Sequence, residues 1–290
     1  MSLFLSKDKS SFYSEENLLQ KRDDFMKENS RMVFATNSNE AEKLCKVTEY
    51  FFGVFGWRNF DVSELSLQRV RNRRLLRIQR ELGLNEDSLH KYLTLLANYG
   101  FFTQKSCGEY SINTNGWLFT RPTVGERNKL LFNALVDNYK CITRERETFP
   151  YRWIFRYLND LGGHCSKLEL GALFLVSSVA EYHDLITRVR LSRERNCPEM
   201  IADIYADYLK YGLVSRHDIR MIVVKDITRP TALLTSIGVI HKIHQTRNNM
   251  IEIPGGLRVN AEQNIILTES GKEMVERFMR GMTRTFANFS

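Results

Sequence analysis

The sequence predicts a mainly α protein with small β-hairpins, of the α+β class, built as tandem winged helix-turn-helix subdomains joined by a helical linker. Two stretches carry this expectation. The run LNEDSLHKYLTLLANYGFFTQKSCGEYSINTNG, 84–116, orders a polar cap, an amphipathic helix, a glycine stop and a short hairpin. A similar order returns from near Thr228 to LTESGKEMVERF, 267–278. The two stretches also end alike: YSINTNGWLF and IILTESGKEM each set a strand before Asn/Thr-x-x-Gly.

The chain has 290 residues, room for two or three domains. Its 43% apolar content supports packed cores and argues against wholesale disorder. A net charge of +8 and a pI near 9.2 favour polyanionic partners. The five cysteines, Cys45, Cys107, Cys141, Cys165 and Cys197, are odd in number and widely spaced, with no CxxC pair. That spacing supports free thiols in a reducing compartment, not a disulfide framework or a zinc site. The opening MSLFLSKDKS has too short an apolar patch for a signal peptide, and no run of about 18 apolar residues occurs. A soluble, intracellular protein is expected.

Residues 1–35 read as an N-terminal arm, polar and mixed in charge. It is either a loosely ordered end or a basic arm, with Lys7, Lys9, Lys27 and Arg31, that orders on DNA. Residues 36–120 form the first winged-helix subdomain. In EAEKLCKVTEYFFGVFG, 40–56, Leu44, Val47, Phe51 and Phe55 recur at helical spacing and give one buried stripe. Arg69, Arg71, Arg73, Arg74, Arg77 and Arg80 follow, interleaved with Leu75, Ile78 and Leu82, as a helix with a packed face and a cationic face. Gly83 stops it. Asn85 caps the next helix, whose stripe is Leu89, Tyr92, Leu93 and Leu96. The short gap between the two helices suits a helix-turn-helix. Gly100 closes the second, and residues 101–105 pair with 109–113 across Ser106-Cys107-Gly108 as the wing.

Residues 121–149 are the linker. Its one amphipathic helix, in RPTVGERNKLLFNALVDNYK, has Leu130, Leu131, Ala134 and Leu135 as its apolar side, and Phe149-Pro150 breaks the pattern. Residues 150–290 form the second subdomain. PYRWIFRYLNDLGG is a helix closed by Gly162-Gly163, and Ser166 with Glu169 makes a capping box for the next. Helical segments over about 181–222, broken at Pro198 and around Gly212, read as an insertion. Thr228-Arg229-Pro230 opens a short helix with threonine as its cap, Leu233, Leu234 and Ile237 inward, and Gly238 at its end. Residues 239–243, 250–253 and 264–267 read as strands. HQTRNN, 244–249, is a wing loop between the first two, and Gly255-Gly256 marks a turn.

DNA recognition needs cations on phosphates for position and affinity, and side chains on base edges for sequence. A recognition helix presents its N-terminal residues to the major groove. In the first subdomain these are Asn85, Glu86, Asp87, Ser88, His90 and Lys91. Asn85 and Ser88 serve equally well as caps. Glu86 and Asp87 repel phosphate but can accept from cytosine N4, and Lys91 can donate to guanine or phosphate. In the second subdomain the equivalents are Lys225, Asp226, Arg229 and Thr231. Arg229 suits a bidentate guanine contact, a phosphate contact or plain solvation. Arg247, Asn248 and Asn249 suit a groove contact or an ordinary polar turn. Arg71, Arg73, Arg74 and Arg77 suit phosphates or a solvated face.

Signs of catalysis are sparse. No Asp/Glu-x-Lys tripeptide occurs, which disfavours the common metal-dependent nuclease core, and no His-x-Lys occurs. GxxxxGK[ST] and GxSxG are absent too. His90, His164, His183, His217, His241 and His244 are scattered and read as surface or satisfied core residues.

Two segments carry a resemblance: LGGHCSKLELGALFLVSSVAEYHDLITRVRLSRERN, 161–196, and KDITRPTALLTSIGVIHK, 225–242. Their Gly-Gly, Ser-Lys-Leu and Arg-x-Arg features resemble the DNA-recognition region of type IIS restriction endonucleases, of the FokI and nicking-endonuclease kind. The resemblance covers about half the chain. It implies winged-helix subdomains that read DNA, a separate Mg²⁺-dependent nuclease domain outside this chain, and a bacterial cytoplasmic setting. The expectation is sequence-specific recognition of double-stranded DNA by a monomeric module with no cofactor or catalytic centre of its own. The alternatives are a winged-helix transcription regulator or replication initiator, a protein-interaction scaffold, and a cryptic nuclease.

Overall fold

The computed structural model describes residues 41–61, 77, 80–106, 108–121, 123–139, 141–142, 147–176, 178–243 and 249–287, with the backbone alone at 61, 86, 87, 141, 142, 147, 148 and 282–287. The expected N-terminal arm, with Lys7, Lys9, Lys27 and Arg31, lies outside them. So do Arg69, Arg71, Arg73, Arg74, Arg247 and Asn248. Among the described residues helices dominate beside four small antiparallel sheets, as the α+β expectation requires. Contacts divide them into two compact units. The first gathers the described residues of 34–140 with Arg229–Val239, and the second those of 141–228 and 240–290.

The first unit opens with α1, Ala41–Phe55, whose Leu44, Val47 and Phe51 are fully buried, as their helical spacing demands. β1, Phe60–Asp61, brings Phe60 against that face, 4.9 Å from Phe51 and 4.7 Å from Phe55 between ring centroids. Asn85 caps α2, Glu86–Asn98, by accepting from the Ser88 N–H at 2.8 Å. Leu89, Leu93 and Leu96 seal its inner side. β2, Phe102–Ser106, and β3, Glu109–Ile112, form the expected hairpin, with Phe102 opposite Ile112 and Gln104 opposite Tyr110. β1 adds to the far side of β3, so the sheet order is β1-β3-β2. α3, Thr114–Thr120, and α4, Val124–Asp137, complete the unit. α4, read from sequence as part of a link, buries Leu131, Phe132 and Leu135, and Asn138 just beyond it donates to Tyr99 O at 3.0 Å.

In the second unit a short ladder of β4, Cys141–Ile142, and β5, Glu147–Thr148, precedes α5, Pro150–Asp160. Pro150 sits at the start of α5, where its missing N–H costs no bond. β6, His164–Cys165, leads into α6, Lys167–Leu173, opened by the expected Ser166–Glu169 capping box. The insertion consists of α7, Val179–Glu194, α8, Glu199–Lys210, and α9, Arg216–Met221. It is core rather than appendage. Tyr205 of α8 donates to Leu168 O at 2.8 Å, and Tyr157 of α5 donates to Glu169 O at 3.0 Å. Both hydroxyls are buried, which pushes their pKa values up. Gly171 makes room for this: a Cβ there would overlap the Tyr205 hydroxyl.

Thr228 does not cap α10, Thr228–Ser236. Its hydroxyl donates one turn back, to Val224 O at 3.0 Å, because the chain is already helical there. α9 runs into a π-turn, Ile222–Asp226, in which the Ile227 N–H reaches back to Ile222 O at 3.1 Å. Pro230 gives the physical reason. It has no N–H to offer Asp226 O, and its ring crowds that carbonyl, so the helix widens just ahead of it.

β7, Ile240–Lys242, pairs with β10, Ile265–Leu267, and β10 pairs with β6, giving the order β6-β10-β7. The sequence reading missed β9, Leu257–Asn260. It pairs with β8, Met250–Ile253, as a hairpin of its own between β7 and β10. This hairpin turns at Gly255 and Gly256 with φ of 97° and 72°, values that glycine adopts without strain. α11, Glu269–Ala287, ends the described chain.

Two chain segments repeat in geometry. Gly100 after α2 and Gly238 after α10 both have φ +74°. Phe101 N–H bonds Leu96 O at 2.9 Å, and Val239 N–H bonds Leu234 O at 2.9 Å, the same left-handed helix ending. At the strand-to-helix joints, Asn113 Oδ1 accepts from Gly116 N–H at 3.0 Å and Thr268 Oγ1 accepts from Gly271 N–H at 2.9 Å. In both three-stranded sheets the last strand lies between the other two.

Candidate nucleic-acid interface

In the first unit the candidate residues gather at the start of α2. Lys91 is exposed, and Ser88 and His90 are half-buried. Asn85 has its side-chain oxygen engaged as the cap, which settles one of its two readings. Glu86 and Asp87 lie in the first turn of α2, their side chains outside the described set. The segment before α2 is helical at Arg77 and at 80–82, and Arg77 and Arg80 are both exposed. Arg77 Nε sits 2.7 Å from Glu81 Oε1, one turn along, with 75% of the arginine side chain open to solvent. A pair so exposed contributes only about 0.3–0.5 kcal/mol, so it leaves Arg77 able to exchange partners. The hairpin adds residues that the sequence reading passed over: Thr103, Gln104, Lys105 and Ser106 are exposed along β2.

On the helix from α9 to α10, Lys225 is exposed and Asp226 and Arg229 are half-buried. Thr231 leaves the candidate set. It is 1% exposed, and its carbonyl accepts from Thr235 Oγ1 at 2.7 Å, so it faces the interior. The C-terminal end of α10 is held in the first unit, where Ser236 Oγ accepts from the Ala41 N–H at 3.2 Å. Asn249 is exposed, and its carbonyl accepts from Ala261 N–H at 2.9 Å beside the β8–β9 hairpin. Arg258 on β9 is exposed opposite Glu252. Arg216 and Arg220 of α9 are also exposed, and no motif had marked them.

The arginines of α7 have internal work. Arg188 pairs with Asp184 at 2.8 Å, and Arg190 Nη2 donates to Asp160 O at 2.7 Å. Arg193 grips Glu169 with two bonds, Nε to Oε1 at 2.8 Å and Nη2 to Oε2 at 3.0 Å. It also donates to Leu161 O at 3.0 Å and to His164 O at 2.8 Å. Burial opposes its charge, but the Glu169 carboxylate outweighs that and holds its pKa above the ordinary value. Nearby, Tyr182 donates to Asp160 Oδ2 at 2.6 Å. The Arg-x-Arg pattern of 188–195 thus ties the insertion to α5, β6 and α6.

Two buried thiols are quiet. Burial, reinforced by Glu49, pushes the Cys45 thiol up to about 12, and burial pushes Cys165 well above its ordinary value. Among the described residues no cluster of three or more His, Cys, Asp and Glu side chains is placed to hold a metal ion. No helix of the described residues is long and apolar enough to cross a membrane. No protein-family model matches the chain, and no curated protein matches it in sequence.

Proposed function

We propose that this chain reads double-stranded DNA by sequence through two winged-helix modules, as the recognition part of a type IIS restriction endonuclease whose cutting domain lies outside these 290 residues. One observation carries the DNA reading. Both three-stranded sheets have the last strand in the middle, and in both the strand next to it follows a glycine-ended helix. That is the element order of a winged helix, in which the helix before the hairpin enters the major groove. The endonuclease context rests on the resemblance of 161–196 and 225–242. Lys91, His90 and Ser88 on α2, and Arg229 at the start of α10, are the groove-facing candidates. Arg77, Arg80 and Lys105 are the phosphate candidates.

The +8 charge supplies non-specific attraction, and unequal modules suit an asymmetric site. α2 starts with Glu86 and Asp87, whereas α10 starts with Thr228, Arg229 and Pro230 behind a π-turn. The test is a gel shift against a pool of random duplexes with no metal added. An enriched asymmetric site bound by one copy supports the reading. A pool that emerges unselected at moderate salt sinks it. An enriched palindrome bound by two copies keeps DNA recognition and replaces the endonuclease context with a regulator or initiator.

A further inference from the structure

Arg216, Arg220 and Lys225 are all exposed, and among the described residues none of the three is in an ion pair. Their spacing is four residues and then five. On a plain α-helix, at about 100° per residue, the second step would carry Lys225 roughly 140° around from Arg220. The extra residue falls within the π-turn Ile222–Asp226. A π-turn closes by an i→i+5 bond instead of i→i+4, so Lys225 returns toward the face of Arg220. Burial records the same phase. Ile219, Ile222, Val223 and Ile227 are 5% exposed or less, whereas Val224 and Lys225 are exposed as a pair.

The stripe runs roughly 14 Å from Arg216 to Lys225, at about 1.5 Å per residue. That length suits a short run of successive phosphates on one DNA strand. Asp218 does not neutralise it: its carboxylate is turned to the helix start, accepting from the Ser215 N–H at 3.0 Å. The β8–β9 turn abuts the root of the stripe, since a Cβ at Gly255 would sit 3.8 Å from Arg216 Cβ. A lipid surface would call for a broad apolar band alongside the cations, and among the described residues from Arg216 to Lys225 the one exposed large apolar side chain is Val224, 50% exposed.

We propose that Arg216, Arg220 and Lys225 form a phosphate-tracking stripe for one strand of duplex DNA, kept in phase by the π-turn. It deepens the proposed DNA recognition, on which it rests, by adding a backbone contact to the proposed base reading. The full chain is titrated with its selected duplex and with an unrelated duplex over a range of salt. Combining Arg216→Ala, Arg220→Ala and Lys225→Ala is expected to reduce the slope of log K against log salt by about 2.7 on both duplexes, with base preference unchanged. Combining Arg216→Lys, Arg220→Lys and Lys225→Arg keeps the original slope. Val224→Lys with Lys225→Val preserves net charge but moves one cation about 100°, and is expected to reduce the slope by about 0.9. An unchanged slope in the triple alanine variant, with sequence preference intact, overturns the stripe and leaves DNA recognition standing. An unchanged slope in the swap overturns the phasing. Failure of the unaltered chain to bind any duplex, or its preference for anionic vesicles, overturns the stripe and the DNA reading together.

Discussion

Arg193→Ala is the substitution whose cost the structure defines most sharply. It removes four hydrogen bonds at 2.8–3.0 Å, two to Glu169 and one each to Leu161 O and His164 O. The pair is withdrawn from water, with side-chain exposures of 18% for Arg193 and 7% for Glu169. Deleting the arginine strands a buried carboxylate whose remaining support is the Ser166 N–H at 2.7 Å. Breaking a buried pair from one side costs about 3–5 kcal/mol. Two charged hydrogen bonds at about 1.5–3 kcal/mol each give about 3–6 kcal/mol, which overlaps that range. Urea unfolding reads this with Trp153 as reporter, since its ring lies 5.1 Å from Tyr182 at the root of α7, in a background of Trp57→Phe and Trp117→Phe. With a slope of about 2 kcal/mol/M the midpoint falls by roughly 2 M. Arg193→Met with Glu169→Gln is expected to recover most of the loss, because no charge is left buried alone. A cost under about 1 kcal/mol for Arg193→Ala, the scale of a surface pair, refutes the clamp.

Gly171→Ala is expected to cost about 1–3 kcal/mol by pressing on the Tyr205 hydroxyl, and adding Tyr205→Phe should recover part of it in the same unfolding assay. Asn113→Ala and Thr268→Ala are each expected to cost about 1 kcal/mol, because each removes a cap made at 3.0 and 2.9 Å respectively. With a pKa near 12, Cys45 keeps only about one thiolate in ten thousand at pH 8. Iodoacetamide at that pH should therefore label half-buried Cys197 well before Cys45 or Cys165, as peptide mass mapping would show. The sign carries over to stability: above the ordinary thiol value of 9.0 the unfolded chain sheds the Cys45 proton while the folded chain keeps it, so stability falls as pH rises further. Arg229→Ala is expected to relax preference at one base pair by about 1–3 kcal/mol in a repeated selection, and an unchanged preference would remove it from the groove.

What could be seen in the sequence was local. α2, its Asn85 cap and its Gly100 ending follow from a 3.6-residue apolar period, a short acceptor side chain and a left-handed φ. The β2–β3 hairpin and the Ser166 capping box rest on neighbours a few residues apart. What stayed hidden depends on distant partners. Arg193 looked like one more surface arginine in a basic helix, and its carboxylate lies 24 residues earlier. The strand at 264–267 was legible but its partners were not: β10 is placed by pairing Ile265 with Cys165 and Lys242. Thr231 sits where a recognition helix would present it, and burial turned it inward. The π-turn ahead of Pro230 left no motif, so Arg216 and Arg220 were not connected to Lys225.

Competition between the enriched duplex and a scrambled one of equal length, at physiological salt and without metal, tests sequence-specific DNA recognition most directly. The expected result is binding by one copy of the chain at least about 10³-fold tighter to the enriched site. Equal affinity for the two duplexes would contradict it.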